Sequence, residues 1–311
     1  MKKIYHISLA SHDEVLFRND TDLIRGFNSL ALAALETDSQ IIADGFPTTH
    51  FHTLVLTDAP EEVLRRTRFA YARYFNTRYK RIGRLGEKRG FILPIDGFYH
   101  TLAALNYINR QAIHHGLAST PFGYPHCSAG VFFAKQLGKQ FSGELMPDHL
   151  RYKYLPKGVS IPTKYRMNAV GLLLREDILD TGFVESYYGT PRNYLYQMNR
   201  LGDEIFKQEQ QDESPASPPI TLSSIEKGIV GKGLSEILSQ PNDKDLAYNI
   251  TDIELCSIID GTCLPRYCKV NSIYETTQAQ RAKLYDLIKN NLWRARHKRT
   301  SEAQLKRCLC L

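Results

Sequence analysis

Two histidines separated by one residue, His50-Phe51-His52, are the first side chains in this sequence whose spacing predicts chemistry. In a β-strand, alternate side chains project from the same face, so both imidazoles would lie on one side of a sheet while Phe51 enters the core. Imidazole is a common ligand of divalent metal ions. Strands that bind no metal also contain such pairs, so further ligands are needed to predict a metal site.

A second group, Tyr107-Ile108-Asn109-Arg110-Gln111, places a tyrosine and a glutamine four residues apart. On one continuous helix, residues at this spacing share a face. The amide oxygen of Gln111 is then a neutral candidate for a third metal ligand, and Tyr107 would lie beside the metal with its hydroxyl as a nucleophile. A phenol needs help to lose its proton, and a nearby dication polarises the bond under attack. The alternative is an amphipathic helix in which Tyr107 is a half-buried aromatic residue.

The elements that must position these side chains alternate along the first part of the chain. Period-two patterns predict strands, and apolar residues at helical spacing predict helices: strands at 3–10, 39–46, 50–57 and 90–96, and helices at 21–36, 61–79 and 97–115. The order β-α-β-β-α-β-α predicts an α+β fold, a ferredoxin-like antiparallel sheet with flanking helices.

Composition divides the chain further. Residues 209–219, EQQDESPASPP, are acidic and rich in Ser and Pro, which predicts a linker. We therefore expect four regions: a first domain at 1–130, a mixed and mostly helical extension at 131–208, the linker at 209–219, and a mainly helical C-terminal region at 220–311 that binds DNA. Leu284 and Ile288 predict a helix between Thr277 and Arg296, and a capping box at Ser301 predicts a last short helix.

Composition also excludes several classes of protein. Of 311 residues, 42% are hydrophobic and 11% aromatic, which is enough for a packed core and argues against a wholly disordered chain. No run of about 18 apolar residues predicts a membrane span, and the N-terminus turns polar at Ser8, unlike a secretory signal. We expect a cytoplasmic protein with reduced cysteines. The spacing of its six cysteines favours small core residues over zinc ligands.

The net charge of +7 is concentrated in two stretches. Residues 61–90 hold ten Lys and Arg against three Glu, and residues 281–307 hold nine against two acids. Such clusters suit a polyanion, although solvated helix faces are the alternative. Cations contact phosphates and interleaved aromatic rings stack on unpaired bases, but we expect Phe69 and Phe75 to pack in the core. The candidate DNA-binding residues are Arg65, Arg66, Arg73, Lys80, Arg81, Lys88 and Arg89.

Four blocks in residues 4–130 resemble the REP-associated tyrosine transposases, a branch of the single-tyrosine HUH nuclease superfamily that also includes IS200-like transposases. These blocks are IYHISLASHDEVLFRNDTDLIRGF, FPTTHFHTLVLT, YFNTRYKRIGRLGEKRGF and YINRQAIHHGLASTPFGYPHCS, in the family's order and spacing. Two positions depart from the family pattern. Thr49 precedes the first histidine where the family usually has Asn, and Gln111-Ala112 stands where the REP-associated branch usually has Asn-Pro. A glutamine there is similar to the ligand of the related insertion-sequence branch.

The resemblance implies a metal-dependent single-stranded DNA endonuclease and strand transferase, nucleoid-associated in the cytoplasm. His50, His52 and Gln111 would bind Mg²⁺ or Mn²⁺, and Tyr107 would attack a phosphate at a hairpin-bearing DNA end. The products would be a 5′-phosphotyrosine adduct and a free 3′-hydroxyl. Whether such a protein acts as a monomer or as a homodimer stays open.

Three alternatives remain at this point. A domesticated relative would keep the fold and the basic surface but lose turnover. A metal-dependent hydrolase would use water on the His50/His52 pair, without Tyr107. An RNA-binding ferredoxin-like domain would need aromatic and basic residues on its open sheet face, where this chain would place the histidines.

Overall fold

The computed structural model describes residues 1–118, 120–139, 143–156, 158–199, 250–295 and 300–311. The elements of the first part are β1 (Lys3–Ala10), α1 (Asp20–Glu36), β2 (Gln40–Gly45), β3 (His50–Thr57), α2 (Pro60–Tyr79), β4 (Phe91–Ile95), α3 (Phe98–Asn109), α4 (Gln111–His114), α5 (Thr181–Tyr188) and α6 (Pro191–Asn199). Residues 250–311 contribute α7 (Asp252–Ile258), a π-helical segment (Ile259–Cys268), α8 (Gln278–Ala295) and α9 (Glu302–Leu309). Short 3₁₀ turns lie at Pro121–Gly123, Ser128–Gly130, Asp148–Lys153, Arg175–Asp177 and Ile273–Glu275.

The four strands form one sheet in the order β2-β3-β1-β4, and each neighbouring pair is antiparallel. The predicted α+β class, with an antiparallel sheet and flanking helices, is confirmed. Strand β3 is central, and its two histidines pair with Ser8 and Ala10 of β1. Residues directly opposite in an antiparallel pair project from the same face, so this register decides which β1 side chains can reach the histidines.

The two faces of the sheet carry different chemistry. Phe51 stacks on Phe46 with ring centroids 5.2 Å apart, and Phe46 meets Phe27 of α1 edge-on at 6.2 Å. This face is therefore the apolar core beneath α1 and α2. On the other face, His52 meets Tyr107 of α3 at 5.1 Å. Helix α3 therefore covers the face that carries the histidines.

Local signals explain where the two long helices begin. The side chain of Asn19 accepts a hydrogen bond from the backbone N–H of Asp22, which satisfies a free donor at the start of α1. Helix α2 begins at Pro60, whose fixed φ suits a first helical position, and it ends at Tyr79, followed by Lys80 as a C-cap in the left-handed conformation.

The tyrosine helix differs from its prediction. Instead of one helix over 97–115, α3 ends at Asn109 and a short α4 begins at Gln111. At Arg110 the backbone turns to φ −97° and ψ 4°, and its N–H lies 3.2 Å from the carbonyl oxygen of Asn106 and 3.3 Å from that of Tyr107. Gln111 thus follows a break and does not continue the face of Tyr107.

Residues of 250–295 and 300–311 form a second apolar cluster, which also includes Val15 from the segment before α1. The side chain of Arg18 is 0% exposed and donates Nε and Nη2 to the carboxylate of Asp260, at 2.9 and 2.8 Å. Its Nη1 donates to the carbonyl oxygen of Cys308 at 3.1 Å. The hydroxyl of Thr48 donates to Asp252 at 2.5 Å. The C-terminal segment is thereby bonded to the residues around β3.

The helices predicted near the C-terminus are present as α8 and α9, and the side chain of Ser301 accepts from the N–H of Gln304 as a helix cap. The predicted linker at 209–219 lies outside the described residues, as do 220–249, so the division of the chain at 131–208, 209–219 and 220–311 stays a prediction. Among the residues that the structure describes, no helix has the length and apolar character needed to cross a membrane.

Candidate active site

His50 and His52 project from the same face of β3, as the spacing predicts. Their rings meet edge-on with centroids 4.7 Å apart, and the two residues are 3% and 0% exposed. In each ring, Nδ1 is engaged by a neighbour. The Nδ1 of His50 shares a hydrogen bond of 2.9 Å with the hydroxyl of Thr49, and the Nδ1 of His52 shares one of 3.1 Å with Nε2 of His6. Nε2 of His50 is also hydrogen-bonded, to Oε1 of Gln111 at 3.2 Å, so a metal ion bound at Nε2 of both rings would replace that bond.

Gln111 joins this pair despite the break in the helix. Its Oε1 lies 3.2 Å from Nε2 of His50, and its Nε2 donates to the carbonyl oxygen of Tyr107 at 3.3 Å. Gly45 of β2 makes the approach possible, because a Cβ there would lie 2.9 Å from the carbonyl oxygen of Ile108 and 3.6 Å from Cβ of Gln111. A side chain at position 45 would push the end of α3 away from the sheet.

Tyr107 lies beside the histidines and is 3% exposed. Its ring meets that of His52 edge-on at 5.1 Å and that of His6 at 6.0 Å. His115, just after α4, places its ring 4.7 Å from that of His50. The predicted nucleophile and the three predicted ligands are thus brought together on one face of the sheet.

The end of α3 that carries Tyr107 is held by buried polar contacts. The hydroxyl of Ser128 accepts from the backbone N–H of Asp44 at 3.0 Å and lies 2.7 Å from Oδ1 of Asn109. The hydroxyl of Tyr188 donates to Oδ1 of Asn106 at 2.9 Å. These bonds connect α3 to β2 on one side and to α5 on the other, so they fix the last turn of the tyrosine helix.

The buried carboxylate near this site is paired with an arginine, and a neighbouring imidazole is neutral. The carboxylate of Asp44 is buried and pairs with Arg175 at 2.8 Å; burial raises the pKa of Asp44, and the arginine opposes that shift. Burial lowers the pKa of His6 to about 3, so this ring is neutral at physiological pH. Beside Tyr107 and His52 there is therefore an uncharged imidazole.

The donor set fits a divalent cation. Two imidazole nitrogens and one amide oxygen suit Mg²⁺ or Mn²⁺ when solvent or a substrate supplies the remaining oxygens. Nε2 of His50 is hydrogen-bonded to Oε1 of Gln111 at 3.2 Å, so these two candidate ligand atoms lie close together. Within the described ranges, no group of three or more His, Cys, Asp or Glu side chains could hold a metal.

The predicted DNA-binding residues lie elsewhere and separate into two groups. A groove of about 680 Å³ runs between α2 and the segment that leads into β4. We call it the α2–β4 groove; its lining includes Arg65, Arg68, Phe69, Arg73, Arg84, Leu85, Lys88, Arg89 and Ile92. Ile92 pairs with Ile7, on the face opposite the histidines. In the described part of the chain, Arg73, Arg84, Lys88 and Arg89 form no ion pair.

The other predicted cations are engaged within the protein. Arg66 bonds to Glu62 and Glu36 at 2.6 and 2.5 Å, and Arg81 bonds to Glu14 at 2.6 Å. Lys80 reaches Glu275 at 2.6 Å, and Arg65 also pairs with Glu62 at 2.6 Å although it lines the groove. Arg66, Lys80 and Arg81 are thus paired with carboxylates of the protein, and their contact with DNA stays a prediction.

The aromatic residues of this stretch correct one expectation. Phe75 is buried as predicted, but Phe69 is 66% exposed and lines the α2–β4 groove. Tyr71 is buried and donates to the carbonyl oxygen of Leu16 at 2.6 Å, and Tyr79 donates to Asp22 at 2.7 Å. Phe69 is thus the ring of α2 that is open to a stacking partner.

Comparisons with known proteins find a likeness among solved structures. No protein-family model matches the chain, and no curated protein matches it. Among solved structures, it is similar to one described as a REP-associated tyrosine transposase bound to a REP hairpin. The identity is 13% and the TM-score 0.38, over 44% of this chain and 81% of that one.

Proposed function

We propose that this protein is a metal-dependent single-stranded DNA endonuclease and strand transferase of the single-tyrosine HUH type. The observation that carries the proposal is that Tyr107 lies against His52, within the cluster of His50, His52 and Gln111. A nucleophile, two imidazoles and an amide oxygen meet on one sheet face although they come from separate elements. The strand order β2-β3-β1-β4 supports the assignment, because it is the order of a ferredoxin-like sheet.

In the proposed reaction, the hydroxyl oxygen of Tyr107 forms a bond to phosphorus, and the bond from phosphorus to the 3′-oxygen breaks. The tyrosine loses its proton to solvent and the leaving oxygen takes one up, which gives a 5′-phosphotyrosine and a free 3′-hydroxyl. A divalent cation, when bound, would polarise the phosphate and stabilise its developing charge. Attack by another 3′-hydroxyl reverses the step and joins strands, and the covalent link conserves the phosphodiester energy.

The residues around Tyr107 position the nucleophile. Gln111 donates to the carbonyl oxygen of Tyr107, while the bonds to Asn106 and Asn109 fix the turn that carries it. An oriented nucleophile avoids the entropy cost of bringing it to the reacting atom.

The α2–β4 groove is the proposed place of contact with DNA away from the reaction. Arg73, Lys88 and Arg89 supply cations for phosphates, and the exposed ring of Phe69 offers a face for an unpaired base. The groove lies on the opposite face of the sheet from Tyr107, so one DNA molecule that touches both must pass around an edge. A hairpin with a single-stranded extension, the substrate implied by the sequence resemblance, has such a shape.

A covalent-trapping assay tests the proposal. Hairpin oligonucleotides from sequence flanking the gene, labelled at the 5′ or 3′ end, are incubated with the protein and Mn²⁺ or EDTA and separated under denaturing conditions. We expect a metal-dependent, labelled protein band that disappears in Tyr107→Phe, with DNA binding within about 1 kcal/mol of the original protein. Tyr5→Phe is the matched control, because the hydroxyl of Tyr5 forms no hydrogen bond within the described residues.

Other outcomes would assign other functions. Cleavage without an adduct, unchanged in Tyr107→Phe, would support a hydrolase that uses water. Tight binding with neither cleavage nor adduct, across a pool of varied hairpins, would support a binding protein that has lost turnover.

A further inference from the structure

His6 is a third histidine next to the candidate ligands, and it comes from a different strand. It lies on β1 and is 0% exposed, with Nε2 3.1 Å from Nδ1 of His52. The two rings stack at 5.2 Å with an interplanar angle of 29°. Phe91 of β4 meets His6 edge-on at 5.3 Å, so the ring is held from both sides along the sheet.

A hydrogen bond between two neutral imidazoles contains a single hydrogen. Each neutral ring has one N–H donor and one acceptor nitrogen. If Nε2 of His6 accepts, His52 carries its hydrogen on Nδ1 and its lone pair on Nε2. If Nε2 of His6 donates, Nδ1 of His52 must be the acceptor, and the hydrogen of His52 moves to Nε2, which then cannot bind a metal.

We propose that His6 is a positioning residue that holds His52 in the tautomer and orientation in which Nε2 binds the metal. This rests on the proposed function in one respect, namely that His52 is a metal ligand. The partner on the second nitrogen of a metal-binding histidine fixes its tautomer and ring orientation and raises its basicity. Carboxylates, backbone carbonyls and water commonly supply that partner, and here an imidazole would do so.

The other nitrogen of His6 indicates that packing alone does not account for a histidine at this position. Its Nδ1 is buried, and within the described residues it has no hydrogen-bond partner. A buried polar atom without a partner costs stability, so an apolar side chain of similar size would serve packing alone better. In the proposed tautomer, Nδ1 of His6 carries the hydrogen that allows Nε2 to accept from His52.

The ring of His6 also touches the proposed nucleophile. Its centroid lies 6.0 Å from that of Tyr107, with the rings at 74°. One residue on β1 therefore packs against both the ligand and the tyrosine. Removing its nitrogen atoms without removing the ring separates the hydrogen bond from the packing.

The test compares two substitutions. His6→Phe keeps a ring but removes the acceptor, whereas His6→Gln offers an amide oxygen as acceptor. Mn²⁺ binding is measured from the electron paramagnetic resonance signal of the free ion, and the tautomer of His52 is read from long-range ¹H–¹⁵N correlations in metal-free, histidine-labelled protein. We expect His6→Phe to weaken Mn²⁺ binding about 10- to 100-fold, and His6→Gln to bind within about threefold of the original protein. His126→Phe, another buried histidine, is the control and should bind Mn²⁺ normally.

The outcomes distinguish this inference from the proposed function. If the original protein binds no Mn²⁺, the metal site is wrong, and the tautomer of His52 still decides the role of His6. A His52 that carries its hydrogen on Nε2 in the original protein overturns the inference. So does a folded His6→Phe variant that binds Mn²⁺ as well as the original protein does.

Discussion

The hydroxyl of Thr49 lies 2.9 Å from Nδ1 of His50, one residue along the chain. A hydroxyl both donates and accepts, so Thr49 satisfies Nδ1 in either tautomer of the ring. When Nε2 of His50 binds a metal, Nδ1 must carry the hydrogen and Thr49 accepts it. Thr49 therefore has a defined contact with a candidate ligand.

Thr49→Val tests this contact because it removes the hydroxyl and keeps the shape. We expect Mn²⁺ affinity to fall about tenfold, the lower end of the effect of losing such a partner, when it is measured by titration calorimetry. Thr49→Ser keeps the hydroxyl and should bind normally. Equal affinities in the Val and Ser variants would contradict the role assigned to this hydrogen bond.

Gly45→Ala tests the close approach of β2 and the end of α3. The added Cβ would lie 2.9 Å from the carbonyl oxygen of Ile108, so the turn that precedes Gln111 must shift. We expect the free energy of unfolding to fall by about 1–3 kcal/mol and covalent adduct formation to slow. Gly182→Ala is the matched control, because its Cβ would meet only Oδ1 of Asp180 at 3.8 Å.

The α2–β4 groove predicts a change in the salt dependence of DNA binding. Each cation that neutralises a phosphate of single-stranded DNA adds about 0.7 to the magnitude of the slope of log K against log salt. Arg73→Ala, Lys88→Ala and Arg89→Ala should each make that slope shallower by this amount in fluorescence-anisotropy titrations. Arg66→Ala removes the same charge from a residue that bonds to Glu62 and Glu36, and it should leave the slope nearly unchanged. An equal decrease in all four variants would show that only net charge matters.

His6 predicts how stability depends on pH in the metal-free protein. Burial lowers its pKa in the folded state to about 3, against 6.5 in the unfolded chain. Between pH 6.5 and 3, the unfolded state therefore binds a proton at His6 that the folded state does not bind. The contribution of the neutral His6 to the free energy of unfolding is complete above pH 6.5 and is lost as the pH falls toward 3. The decrease is about 1.4 kcal/mol per pH unit for one proton.

His6→Phe removes the imidazole that binds this proton in the unfolded state. We measure the free energy of unfolding by urea titration in EDTA between pH 5.5 and 4. In His6→Phe this free energy should fall less steeply with decreasing pH, by the slope of about one proton, roughly 1.4 kcal/mol per pH unit. Parallel curves for the two proteins would mean that His6 is protonated in the folded state.

The sequence predicts the strands and the long helices well, because each has a clear local pattern. Strand β3 is found at 50–57 as predicted, and α2 begins at Pro60, one residue before its predicted start. The alternation in His50-Phe51-His52 correctly places both imidazoles on one face. Local periodicity is sufficient where one face of an element is buried.

Other features depend on contacts between distant residues. No glycine or proline marks the break at Arg110; the contacts that fix the end of α3 come from Ser128 and Tyr188, far along the chain. His6 can be assigned to the site only from the register of β1 and β3, which places it on the same face as His52. A single sequence does not show this pairing.

The exposure of Phe69 is different, because the spacing of the residues along α2 predicts it. Thr67, Tyr71, Phe75 and Tyr79 recur at four-residue steps and form the buried stripe of α2. Phe69 falls outside that stripe, so the helical period alone places it at the surface. The exposed ring in the α2–β4 groove could therefore have been predicted.

The bonds of Arg18 set a condition for studying the first region by itself. A fragment that ends at residue 130 lacks both the carboxylate of Asp260 and the carbonyl of Cys308, which accept hydrogen bonds from Nε, Nη2 and Nη1 of Arg18. Such a fragment would expose Val15 and leave Arg18 without its carboxylate partner, and newly exposed apolar surface favours aggregation. Dissection of the protein should therefore begin with the intact polypeptide, or with a shortened version in which Arg18 and Val15 have been redesigned as surface residues.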